Sequence, residues 1–368
     1  MAELDPLNQP IHEMEGRRVS LADMLMGMRQ LGATDLYLQT GAPLKFKQRG
    51  KVVCPAPEIL TRRALSHAAG CLLAKDDQKA LLARGSADAV VVRENVRYRV
   101  HFARGHTGLY VTVRIVGATI PTFESLGLHH RARTWLTEIR QGLVIIAGST
   151  DAGKTVTCMS MLDQINRNED KVLLTLEDPI EYIMTPQRGV VIQREVGLHV
   201  PTFADGVRAS LRENVDVIFV GEMRNVDTID QVMRAGETGH LVLTTMHADD
   251  ILSAVGRIVG SYPQNDQPRV RQALASTLSG IVYQRLLPRS AKRGAAPGSE
   301  GRVPAIETLW ANTAVRSILR TGDWSKLGSY LGRATGGIGY KECLSVLAGA
   351  NAIAEDTRQM ELQRLKDA

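Results

Sequence analysis

The chain has 368 residues, 44% of them hydrophobic, which is enough for two domains with their own cores and excludes global disorder. Its 45 Lys and Arg against 39 Asp and Glu leave a mild net charge of +6 with no long basic run, and aromatics are only 4%, so a base-stacking surface and direct nucleic-acid binding are not expected. The four cysteines, Cys54, Cys71, Cys158 and Cys343, are scattered with no CxxC pair, which argues against a zinc cluster or disulfide framework and for reduced, buried thiols in the cytosol.

Met1 to Arg18 reads as a polar, partly ordered lead. Its first sixteen residues carry acids and prolines without an apolar stretch, so no secretory signal is expected there. Ser20 then caps a helical pattern in which Leu21, Met24, Leu25, Met28 and Leu31 recur at helical spacing, and Gly32 closes it. Asp35 to Gln39 alternates as a strand, and Lys45 to Val53 reads as a strand pair turning at Arg49-Gly50. A second helix is predicted over Thr61 to Leu82. Strands over Ala87 to Arg93 and Val96 to Ala103 flank a turn at Glu94-Asn95, and Tyr110 to Val116 forms another. Together these predict a small α+β domain over residues 1–117.

A linker follows at 118–124, within a stretch that starts at Gly117 and is punctuated by Pro121. From 125 to 368 the pattern changes. Apolar runs over Leu143 to Ala147, Val172 to Leu176, Val217 to Val220 and Leu241 to Thr245 alternate with helical segments, the rhythm of an α/β domain with a mostly parallel sheet. None of these runs is long enough to span a bilayer. Arg289 to Arg302, rich in Gly, Ser, Ala and Lys, reads as a loop, and Thr313 to Leu365 as largely helical.

The most specific motif is Gly148-Ser149-Thr150-Asp151-Ala152-Gly153-Lys154-Thr155, which satisfies G-x-x-x-x-G-K-[ST] between a buried strand and the helical pattern Val156 to Ile165. In such a loop, backbone N–H groups and a helix N-terminus surround phosphate oxygens. Lys154 then supplies a positive charge to the outer phosphates, and the Thr155 hydroxyl is a ligand for Mg²⁺. Asp151 places a carboxylate inside this anion-binding loop, so its side chain is expected to point to solvent. In open α/β sheets ligands sit at the carboxyl ends of the strands. Three of the other predicted strands end there in ionisable groups: Glu177-Asp178-Pro179-Ile180-Glu181, Gly221-Glu222, and Met246-His247. One carboxylate is expected to hold metal and water, another to orient or deprotonate the attacking water, and His247 to sense the terminal phosphate. His240, before its strand, is expected only to brace the fold.

These motifs make the chain resemble the secretion ATPases of type IV pili and type II secretion, and within them the PilT/PilU-type retraction branch. Thr175-Leu-Glu-Asp-Pro-Ile-Glu-Tyr182 is similar to the family's Asp box, and Val220-Gly-Glu-Met-Arg-Asn225 to its Walker B segment, with Gly where many P-loop ATPases have Asp. Ala235-Gly-Glu-Thr-Gly-His240 through Thr244-Thr-Met-His247 resembles the His box. The likeness runs from about Leu21 to Leu347. It implies a RecA-like ATPase domain, a smaller PAS-like N-terminal domain, and ATP with Mg²⁺ at the loop. By the same resemblance Glu181 is the catalytic glutamate, Glu222 organises metal and water, and His247 reads the γ-phosphate. Arg99 and Arg114, in segments that resemble the family's strand arginines, are implied to reach a neighbouring subunit's nucleotide, with Arg194, Arg208 and Arg212 as weaker candidates.

The resemblance further implies a homohexamer in the cytoplasm, peripheral to the inner membrane, docked on a membrane platform protein of a pilus or secretion machine. Extension-type and type II relatives carry a four-cysteine insertion after the segment here written Gln284-Arg-Leu-Leu-Pro288. This chain has Arg289 to Arg302 without cysteine, which favours pilus retraction and twitching motility, or the related conjugation and Dot/Icm-type ATPases. The family loop has Gly and Ser where Asp151 and Ala152 stand. That departure keeps a second class open, a weakly active regulatory or structural subunit of such a hexamer.

Overall fold

The computed structural model describes residues 6–14, 17–48, 51–94, 96–116, 119–290, 301–332 and 337–367. The Arg49-Gly50 turn, Asn95 of the next turn, Gly117 at the head of the linker and 291–300 of the loop lie outside them. The chain divides into two units, residues 1–118 and 119–368.

The first unit opens with an antiparallel hairpin of β1 (Pro10–Met14) and β2 (Arg17–Ser20). The segment that reads from sequence as a polar lead therefore contributes strands, too short and too charged for an alternation to show. Ser20 then caps α1 (Leu21–Gln30) in a reciprocal box: its hydroxyl accepts from the Asp23 N–H, and the Asp23 carboxylate accepts from the Ser20 N–H at 2.8 Å. β3 (Asp35–Gln39), β4 (Lys45–Gln48) and β5 (Lys51–Val53) follow.

The helix predicted over Thr61 to Leu82 is two helices, α2 (Arg62–Leu72) and α3 (Lys75–Arg84). The break falls at Leu73, whose backbone is extended and whose carbonyl accepts from the Gln78 side chain; Asp76 and Asp77 then favour a new N-terminus. No Gly or Pro marks the break, so the sequence pattern runs through it. β6 (Ser86–Arg93), β7 (Val96–Gly105) and β8 (Gly108–Val116) complete a six-stranded antiparallel sheet of order β5-β4-β3-β8-β7-β6. Leu36, Leu38, Val100, Phe102, Val111 and Val113 face Met24, Leu25, Met28 and Leu65 in its core.

The second unit begins with α4 (His130–Glu138), followed by β9 (Gly142–Ala147), α5 (Lys154–Asn168), β10 (Val172–Glu177) and β11 (Val190–Glu195). Next come α6 (Phe203–Ser210), β12 (Val217–Val220), α7 (Val226–Glu237), β13 (Leu241–Met246), α8 (Ile251–Gly260) and α9 (Gln267–Thr277). β14 (Leu278–Pro288) and β15 (Arg302–Trp310) form an antiparallel pair, and α10 (Thr313–Thr321), α11 (Tyr340–Gly349) and α12 (Glu355–Asp367) end the chain.

The seven strands order as β11-β10-β12-β13-β9-β14-β15, all parallel except β15. β9, β12 and β13 are buried along their whole lengths, which is why they read as unbroken apolar runs rather than alternations. Trp135 of α4 stacks on Trp310 of β15 with ring centroids 3.7 Å apart. A side chain at Gly280 of β14 would run into the Trp310 ring at 2.3 Å, so glycine is required beneath the stack.

Cys158 and Cys343 are buried, but Cys54 is exposed and Cys71 only half-buried, so the expectation of four buried thiols holds for two; all four are free. Among the described residues, no helix is long and apolar enough to cross a membrane.

Candidate active site

The site is built where β9 ends. Gly148 must be glycine there: a Cβ would lie 2.3 Å from the Gln284 carbonyl of β14. The loop turns through Asp151 (φ 64°) and Gly153 (φ 79°), both left-handed, and enters α5 at Lys154. This brings the α5 N-terminus up behind the loop, an arrangement suited to anions. Lys154 is buried, and its Nζ donates to the carbonyls of Gly148 (3.0 Å) and Ser149 (2.7 Å). Burial lowers its pKa, while the nearby Glu222 carboxylate acts in the opposite direction.

The sheet register aligns the other strand ends. Leu176, Val220 and Thr244 lie in one row across β10, β12 and β13, and Thr244 is level with Ile145 of β9. The residues that follow therefore emerge on the edge where β9 delivers the loop. Thr150, Asp151, Lys154, Thr155, Glu181, Glu222 and His247 all line one cavity of about 250 Å³. Burial, and then the charge of Lys154, lower the His247 pKa, which favours the neutral imidazole. Its carbonyl accepts from Arg257 Nη1 at 2.6 Å. Glu222 Oε2 accepts from Arg224 Nε at 2.8 Å.

His240 sits at the opposite, amino edge of the sheet, with Nδ1 near Thr238 Oγ1 (3.0 Å) and the Ala235 carbonyl (3.1 Å). Arg194 pairs with Glu213, Arg208 with Asp205, and Arg212 lies exposed just after α6; none of the three lines the cavity. In the first unit, Arg99 and Arg114 are direct cross-strand partners on β7 and β8, both exposed. Two guanidinium groups side by side repel. Asp35, buried beside them, accepts from Arg114 Nε at 2.6 Å, and Asp88 lies 3.7 Å from Arg99 Nε.

The sequence reading names Glu177 only as a strand-end acid, without a role, and gives Gln284 and Arg302 none. Glu177, only 2% exposed, accepts from Thr175 Oγ1 (2.7 Å), Gln193 Nε2 (3.2 Å) and the Glu181 N–H (3.2 Å), and burial pushes its carboxyl up to about 7. Gln284 Nε2 donates to the Ala152 carbonyl at 2.7 Å, and its Oε1 accepts from Thr157 Oγ1 at 2.8 Å, so one buried amide ties the loop to α5. Its signal in the sequence is the polar pair Gln284-Arg285 between the apolar stretches Ile281 to Tyr283 and Leu286 to Leu287. Arg302 Nη1 meets Asp151 Oδ2 at 2.7 Å, and nothing in the sequence marks that pair. The Asp151 side chain is 76% exposed, as expected of a carboxylate that points to solvent, although the residue also lines the cavity.

The arrangement fits a nucleotide's phosphates: a glycine-shaped loop, a helix N-terminus and a buried ammonium all face one cavity. It also suits Mg²⁺ held jointly with a substrate. Among the described residues no group of three or more His, Cys, Asp or Glu could hold a metal ion alone. Mg²⁺ is commonly bound through one or two protein oxygens plus substrate phosphates.

Comparison with known proteins agrees with this geometry. Residues 72–345 match the family model described as type II/IV secretion system protein. The Escherichia coli K12 protein YggR is 38% identical over 305 residues, 80% of this chain and 87% of its own length. Among solved structures, the pilus retraction motor PilT with bound ADP aligns with a TM-score of 0.82 at 33% identity, over 92% of this chain and 96% of that one. The Legionella pneumophila ATPase DotB aligns with a TM-score of 0.78 at 25% identity, over 96% of this chain and 100% of that one. A parallel sheet with a phosphate loop at its carboxyl edge and a matched span of this length together place the chain in the type II/IV secretion system protein family, as a P-loop ATPase.

Proposed function

We propose that the chain is the motor subunit of a homohexamer that hydrolyses ATP to retract a type IV pilus or to drive a related secretion machine. The observation that carries this reading is the convergence of Lys154, Thr155, Glu181, Glu222 and His247 on one cavity. Lys154 exchanges its two loop carbonyls for phosphate oxygens. The Thr155 hydroxyl and Glu222 hold Mg²⁺, which supplies charge neutralisation at the outer phosphates. Glu181 takes the proton of the attacking water, and the neutral His247 donates to the γ-phosphate. Departure of that phosphate removes the contact and reports hydrolysis. The paired Arg99 and Arg114 are offered to the nucleotide of a neighbouring subunit. The ring works in the cytoplasm against a platform protein of the inner membrane. The likeness to DotB supports a second reading, in which the same engine serves a Dot/Icm-type secretion machine.

Phosphate release by the purified protein tests the site. Lys154→Ala is expected to abolish both nucleotide binding and turnover. Glu181→Ala is expected to lower turnover by more than about a hundredfold while changing ADP affinity only a few-fold, because a general base acts on the transition state. Turnover by Lys154→Ala at the wild-type rate would overturn the reading.

A further inference from the structure

Asp151 sits in the middle of a loop whose work is to hold anions, and its left-handed backbone is one that glycine adopts without strain. A carboxylate there opposes a phosphate by like-charge repulsion. Arg302 answers it. As the first residue of β15, it is fixed by pairing with Pro288 of β14, and its carbonyl accepts from Arg289 Nε at 3.0 Å. β14 in turn pairs with β9, the strand that delivers the loop. The guanidinium is thus carried on a sheet edge one strand beyond the loop's own neighbour, and it reaches Asp151 Oδ2 at 2.7 Å. The Asp151 side chain is largely exposed, and exposed pairs add little to folding stability. What the contact does alter is the local field. It sets a guanidinium against a carboxylate that lines the cavity.

We infer that Arg302 is a positioning residue for nucleotide binding that acts through Asp151: it neutralises a carboxylate which would otherwise repel the phosphates. This rests on residues 148–155 being the nucleotide site. Arg302 therefore matters to affinity only while Asp151 is present. A guanidinium that touched phosphate directly would matter equally with or without Asp151.

A double-mutant cycle on the full chain decides between these, with ADP and a non-hydrolysable ATP analogue as probes and calorimetry as the readout. Arg302→Ala is expected to weaken binding about three- to tenfold, and Arg302→Lys by less. In the Asp151→Gly background, Arg302→Ala is expected to cost less than twofold, so the double variant recovers most of the loss. The Arg302→Ala penalty is expected to shrink as salt is raised, since charges near the surface are screened. An equal loss in both backgrounds, or no loss in either, overturns the inference. If Arg302→Ala fails to fold, Arg302→Lys and Arg302→Gln carry the same cycle. Lys154→Ala runs alongside: if it binds as well as the unaltered chain, the nucleotide site is elsewhere, and the failure belongs to that assignment rather than to Arg302.

Discussion

Glu177 is a buried carboxylate at the site's edge, only 2% exposed. Its carboxyl is buried at a strand end and held near 7, against 4.5 for a free glutamate, and it accepts the N–H of Glu181, the residue proposed to activate water. Raising an acid's pKa in the folded state makes folding favour the proton. Stability from this group is complete below about pH 4.5 and is lost as pH rises to about 7, where the folded carboxyl ionises. The loss is roughly 3 kcal/mol from the 1.4 kcal/mol per pH unit of linkage. His247, whose pKa is lowered, contributes the opposite slope near its own titration, so the reading is a difference between variants. Thermal unfolding from pH 4.5 to 8 is expected to show a wild-type decline that Glu177→Gln lacks. Identical profiles would mean that Glu177 ionises normally where it lies.

At the scale of elements, strand β14 braces the phosphate loop of the candidate site. Gln284 satisfies the Ala152 carbonyl and the Thr157 hydroxyl with one buried side chain. Gln284→Ala strands both groups and leaves a void. The expected cost is about 2–4 kcal/mol of stability in the second unit, with weaker ADP binding, measured by urea unfolding and calorimetry. Much of this unit was legible in the sequence, because fully buried parallel strands write unbroken apolar runs and the phosphate loop needs its glycines at fixed spacing. The same logic points to Asp151, Glu181, Glu222 and His247, which line one cavity in the structure. The rest was hidden for physical reasons. β14 is interrupted by Gln284 and Arg285, so its eleven residues do not read as one strand. The α2–α3 break has no Gly or Pro to announce it. The Arg302–Asp151 pair joins residues 151 positions apart, a separation that no local pattern encodes.

At the scale of the whole molecule, the proposal that Arg114 serves a neighbour's nucleotide makes activity a property of the ring. Lys154→Ala and Arg114→Ala subunits are each expected to be nearly inactive alone. Mixed in one ring, they create interfaces with an intact loop on one side and an intact arginine on the other, so part of the phosphate release is expected to return. Background activity in rings shown by mass spectrometry to be mixed would mean that Arg114 does not act across the interface or that the ring needs all its sites at once, and doping either mutant with wild-type subunits separates the two. The tryptophan stack carries a consequence of another kind. The chain has three tryptophans, Trp135, Trp310 and Trp324, and all belong to the second unit. Indole emission is therefore blind to residues 1–118. If the first unit melts on its own, fluorescence will record a native protein while backbone circular dichroism records a partly unfolded one. Agreement between the two signals is then a direct statement that the units unfold together.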